Sequence, residues 1–161
     1  MKALTFIQPW ATAVVFHAKN VENRPWPPPA YILGHRIAVH AGKKLDKHDA
    51  WALRQQLPEL PEPLPSGQVI GTVRVLGFVR FGENAEMLDN VGLTADQVET
   101  VVESRWRARG TKACWLLADP IPLATPVPCL GALGLWNLPE SIEAKVAQQM
   151  RQRGQRKAIA S

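Results

Sequence analysis

Cysteine, tyrosine and long apolar runs are what this 161-residue chain has least of. Two cysteines, Cys114 and Cys129, are too few for a disulfide framework, and neither has the Cys-x-x-Cys or His-x-x-x-His company that a closed zinc site requires. Both read as reduced thiols. The four histidines show no ligand spacing on a common element, and His35 and His40, five apart in a predicted strand, fall on opposite faces. No metal and no cofactor is expected. No apolar stretch approaches the roughly eighteen residues of a membrane span. Met1 to Pro9 carries one charge and a short alternating pattern instead of a long apolar core, so a secretory leader and a membrane anchor are both unexpected and a cytoplasmic location is expected.

Acid is missing from one region. Residues 145–161 hold Lys145, Arg151, Arg153, Arg156 and Lys157 and no carboxylate, which equals the whole net charge of +5. The remainder of the chain is electrically balanced, so a nucleic-acid reading based on charge rests on the tail, where a basic arm can add phosphate affinity or simply be solvated. Hydrophobic residues at 46% and charged residues at 20% are near globular averages. A chain of this length forms one core without staples, and the division expected is a domain over 1–144 followed by a basic helix end and tail over 145–161.

Alternation over Lys2–Ile7 predicts a first strand, and Pro9 with Trp10 to about Ala18 a short apolar helix. Pro25 and Pro27-Pro28-Pro29 enforce an extended connection. A second strand is predicted over 35–41, and a helix capped by Asp46 runs to about Leu57, where Pro58 stops it. Gln68 opens a long strand whose Gly71 and Gly77 mark bends. Thr94 with Gln97 is a capping box for a helix to about Arg109, with Val98, Val101, Val102 and Trp106 on one face. A buried strand over 113–118 ends at Asp119-Pro120, a last strand lies over 133–138, and a last helix runs from Pro139 to about Arg153. Short strands of uneven length broken by helices predict an α+β fold, a small barrel of five to six strands with helices packed around it.

Four motifs stand in order along this plan: Gln8-Pro9-Trp10-Ala11; Lys19-x-x-Glu22-Asn23-Arg24 with Trp26; Gly71-Thr72-Val73; and Trp115-x-Leu117 before Asp119-Pro120, followed by Gly131 and Gly134-Leu135-Trp136. Together they resemble the ASCH domain family over about residues 2–138, a family whose fold is similar to the PUA-like barrels. The resemblance implies a cleft between the first helix and the barrel that takes RNA, another single-stranded nucleic acid or a nucleotide, with Lys19, Glu22 and Arg24 at its mouth and Trp10 and Trp115 among its walls. It also implies that some members hydrolyse RNA or modified nucleosides.

The residue chemistry fits such a cleft. Lys19 and Arg24 offer a point charge and a planar fork for phosphate, while Glu22 accepts hydrogen bonds from a base amino group. Tryptophan faces stack on unpaired bases. The expected nucleic-acid-binding residues are Gln8, Trp10, Lys19, Glu22, Asn23, Arg24, Trp26, Thr72, Arg74 and Trp115. Trp26, set among prolines, is the tryptophan expected to be most exposed; Trp51, Trp106 and Trp136 are expected in the core. Read without the resemblance, Lys19, Glu22 and Arg24 are better explained as an ion-pair set closing a helix end.

Two functions stay open at this point: a binding module, and a hydrolase with Lys19 and Glu22 as the catalytic pair. The family's N4-acetylcytidine-type amidohydrolases pair a lysine with a threonine three residues later and a glutamate on a barrel strand. Here Glu22 stands at the threonine position and Arg74 is the candidate at the strand position, with Thr12 and Thr72 as distant hydroxyls. A carboxylate at position 22 pairs with Lys19 and removes its value as a base for a hydroxyl nucleophile. A protein-interaction role for the proline-rich stretches 58–65 and 120–128 has less support.

Overall fold

Alternating burial along Lys2–Gln8 builds strand β1, whose inward Leu4 and Phe6 are fully buried. In the computed structural model, which describes residues 1–159, the later elements are α1 (Trp10–Phe16), β2 (Val21–Arg24), a 3-10 turn (Ala30–Ile32), β3 (Arg36–Leu45), α2 (Lys47–Gln56), β4 (Gln68–Phe81), β5 (Met87–Val91), α3 (Ala95–Val102), β6 (Ala113–Pro128), β7 (Leu135–Asn137) and α4 (Glu140–Ile159). The fold is α+β, as the sequence predicts. No described helix is long and apolar enough to cross a membrane.

Seven strands form one sheet in the order β2-β6-β4-β3-β1-β7, with β5 paired to the far end of β4. Among the described residues, only β1 and β3 run parallel. The sheet curls because β4 and β6 slip register after Val69, Thr72 and Val75 along their shared length. The end strands β2 and β7 are not paired with each other, so the barrel stays open. Inside the curl lie Leu4, Phe6, Val39, Ile70, Val73 and Trp115, sealed by Val14 and Val15 of α1. Gly71 lets α1 come this close: a Cβ there would sit 2.7 Å from Val15 Cγ1 and 2.9 Å from the Ile121 carbonyl oxygen.

Several boundaries differ from those predicted. Strands β2 and β5 are additional. The helix α2 begins as expected, with the Asp46 side chain accepting from the Asp49 amide. Strand β6 does not stop at Asp119-Pro120; it bends there, with Asp119 at φ 49°, and continues to Pro128. Its prolines are tolerated because β2 covers only residues 113–116 of one side, leaving the rest an edge where a missing N–H breaks no ladder. Helix α3 ends at Val102, seven residues short of expectation, for reasons that lie in the site below. Trp51 is 63% exposed on α2 instead of buried, because that helix docks through Ala50 and Leu53. Trp26 is half-buried against the core, edge-on to Trp115 at 4.9 Å, and not the free aromatic its prolines suggested. Helix α4 runs unbroken past residue 145 and docks on β6 through the Gln149 amide, which bonds both the amide and the carbonyl of Thr125. The Arg156 and Lys157 side chains of the expected basic tail, and residues 160 and 161, lie outside the described part.

Two outcomes follow from this packing. Gly71→Ala should lower unfolding stability by about 1–3 kcal/mol in denaturant titrations, since its methyl meets both a side chain and a backbone oxygen. His40 is buried, its Nε2 donating to the Cys129 carbonyl at 3.1 Å. Burial lowers its pKa, partly opposed by that bond. The unfolded chain therefore takes up a proton near pH 6.5 that the folded chain resists, so this contribution is complete above pH 6.5 and is lost as pH falls toward the folded value. Stability measured from pH 7 to 5 should fall less steeply in His40→Gln than in the parent.

Candidate functional site

A turn and a short strand assemble the charged centre of the molecule. After α1 the chain reverses through Ala18 at φ 56°, and the Lys19 amide bonds back to the Ala13 carbonyl. Strand β2 follows, and its two-residue period puts Glu22 and Arg24 on one face with Val21 and Asn23 on the other. The spacing Lys-x-x-Glu-x-Arg is thus a turn cation followed by two neighbours on one strand face. Lys19 Nζ lies 3.2 Å from Glu22 Oε2 and also donates to the Val21 carbonyl. Arg24 Nε lies 2.9 Å from Glu22 Oε1, an ion-pair contact not aligned as a hydrogen bond, and its Nη2 donates to the Thr5 carbonyl at 3.1 Å. Glu22 is 7% exposed and Lys19 4%, so both oxygens of a nearly buried carboxylate are held by cations.

These three side chains converge on one cleft of about 450 Å³. Phe6 lies beneath Arg24, with the guanidinium 5.6 Å from the ring centre. Trp10 forms one wall, with Lys19 Nζ 5.8 Å from its ring. Trp106 adjoins it, edge-to-face at 6.3 Å, and continues that wall. Arg105, stacked on Trp106 at 4.2 Å, and Arg107, over Phe81 at 4.6 Å, stand at the mouth with Asp49. Four cationic side chains thus face two carboxylates, and the cleft favours an anionic ligand with a planar part.

The wall carrying Trp106 is a loop because side chains capture its backbone. The Asn23 amide donates to the Trp106 carbonyl at 2.7 Å and its oxygen accepts from the Ala108 amide at 3.0 Å, while the Ser104 hydroxyl accepts from the Trp106 amide. Such bonds compete with helical ones, which is why α3 stops early. Trp106 therefore lines the cleft while also packing, half-buried, against the core beside Val98 and Val102, as its spacing predicts, although the helix does not reach it. The string Arg105-Trp106-Arg107, a ring between two cations, is the signal in the sequence that marks this wall, and the hydrophobic spacing with Val98 and Val102 hid it.

The remaining predicted residues lie elsewhere. Gln8 is buried, donating to the Pro65 carbonyl and accepting from the amide and hydroxyl of Thr12. Trp115 is fully buried, its indole N–H on the Trp26 carbonyl, and does not line the cleft. Thr72 is fully buried and accepts from Arg36; Arg74 pairs with Asp119 on the outer surface at 3.5 Å. Cys114 sits behind Asn23, and burial pushes its thiol up to about 11, which leaves it no nucleophile at neutral pH.

Asn23→Ala should free the 103–112 loop: the Ala108 amide should exchange its hydrogen faster, and stability should fall by about 1–3 kcal/mol for the groups left unpaired.

Neither a protein-family model nor a curated protein sequence matches the chain. Solved structures do. The ASCH protein of Zymomonas mobilis is similar to it at 19% identity and a TM-score of 0.53, over 91% of this chain and 93% of that one. Two single-residue variants of that protein align at 20% identity with TM-scores of 0.51 and 0.53, over 91% of this chain and 94% and 96% of theirs. The chain has the ASCH fold.

Proposed function

We propose that this ASCH-fold chain binds single-stranded nucleic acid, RNA foremost, by admitting one unpaired nucleotide into the cleft between α1, β2 and the 103–112 loop. The observation that carries this reading is Glu22: an acceptor fixed by Lys19 and Arg24 at the base of a recess walled by two indoles. A carboxylate so held accepts from a base amino group or ribose hydroxyl and rejects an acceptor edge. Lys19 and Arg24, expected on phosphate from the sequence, have their close contacts on Glu22 and on carbonyl groups, so phosphate falls to Arg105 and Arg107 at the mouth. Trp10 and Trp106 supply the stacking surface.

The hydrolase reading has less support. Among the described residues, the cleft lining contains no serine, threonine, tyrosine, cysteine or histidine. Thr12 Oγ1 donates to Gln8, and Thr72 lies under Arg36. Lys19 bonded to Glu22 and to a carbonyl has no hydroxyl to activate.

Anisotropy with a labelled unstructured RNA tests the proposal. Two phosphate contacts give a logarithmic salt slope of about −1.4, so raising salt from about 50 to 200 mM should weaken binding about sevenfold. Trp106→Ala should weaken it by about 1–3 kcal/mol with the fold intact. Affinity unchanged by both salt and the loss of Trp106 would refute the reading.

A further inference from the structure

The tryptophan pair has a second side. A hollow of about 320 Å³ opens between it and α2, floored by Ala52 and Leu53 and edged by Gln56. Trp10, Trp106, Arg105 and Asp49 line both this hollow and the Glu22 cleft. The indoles are therefore a partition between two adjoining recesses, and not the outer rim of one.

We propose that the hollow beside α2 is a second nucleotide subsite, taking the base next in the strand to the one held at Glu22. It rests on the reading of the cleft given above. Both faces of the shared wall carry the chemistry for a base. Two rings set edge-to-face at 6.3 Å present aromatic surface to more than one direction. Arg105 is exposed, with its guanidinium carbon 4.2 Å from the Trp106 ring centre, so its planar group is placed to stack on a base or to meet the phosphate joining two nucleotides across the partition. The floor is apolar and suits a base face, while the polar groups at the edge are few. The Gln56 amide donates and accepts, and the Asp49 carboxylate accepts from an amino group or ribose hydroxyl. Helix α2 is held in place for this role by its Asp46 cap and by the burial of Ala50 and Leu53, which turns Asp49, Ala52 and Gln56 toward the loop at helical spacing. No residue of the Glu22 grip takes part, so the two subsites are separable by substitution.

Calorimetry with a nucleoside 5′-monophosphate and the corresponding di- and trinucleotides provides the test. The dinucleotide should bind the parent protein about fivefold to 150-fold tighter than the mononucleotide, the worth of one more stacked base, with little further gain for the trinucleotide. Ala52→Trp fills the hollow and should reduce the dinucleotide to the mononucleotide level while mononucleotide affinity stays unchanged. Gln56→Trp, at an exposed position, should do the same and serves if the first variant does not fold. A dinucleotide that gains nothing over the mononucleotide, or filled variants that weaken both ligands equally, would overturn the second subsite and leave the cleft standing. Binding of none of the three by the parent would overturn the cleft reading, and the subsite with it.

Discussion

A carboxylate removed from water needs partners, and Glu22 finds them in Lys19 on one oxygen and Arg24 on the other. Taking three charges into a nearly buried setting costs several kcal/mol per ion before their attraction is counted, so an apolar trio of similar volume would serve stability as well or better. The arrangement makes sense as a fixed acceptor at the base of a recess. Its geometry is set by what surrounds it: carbonyl groups of Val21 and Thr5 anchor the two cations, and the rings of Trp10 and Phe6 lie beside them.

The curled sheet exists around this centre in a particular way. Register slips along β4 and β6 bend the sheet over α1, and the absence of a side chain at Gly71 lets Val15 of the helix seat against β4. Strand β2 pairs only with the first part of β6, at the edge of the sheet, which leaves its face open to the cleft. Asn23, on the reverse of that strand, then ties down the 103–112 loop and brings Trp106 edge-to-face against Trp10. One four-residue strand thus supplies Glu22 and Arg24 to the recess and, through Asn23, fastens the loop that walls it.

Much of this was readable in the residues. Alternation marks β1, β3 and the start of β4, the Asp46 and Thr94 caps locate two helices, and the Lys-x-x-Glu-x-Arg spacing names the charged centre. The errors share a cause. Trp106 packs with Val98 and Val102 as its spacing implies but also lines the cleft, and Trp51 faces outward; burial depends on which surface an element meets, and spacing alone does not report that. Gln8, Trp115, Thr72 and Arg74 belonged to motifs of the fold, yet their side chains serve packing and local bonding away from the cleft.

The sequence by itself determined the local elements and the identity of the charged trio, because periodicity, capping and turn chemistry act over a few neighbouring residues. Only the tertiary structure decided which rings and which further cations line the cleft. Those depend on bonds spanning some eighty residues, from Asn23 to Trp106 and Ala108, whose strength comes from the fold holding donor and acceptor together and leaves no trace in any local pattern.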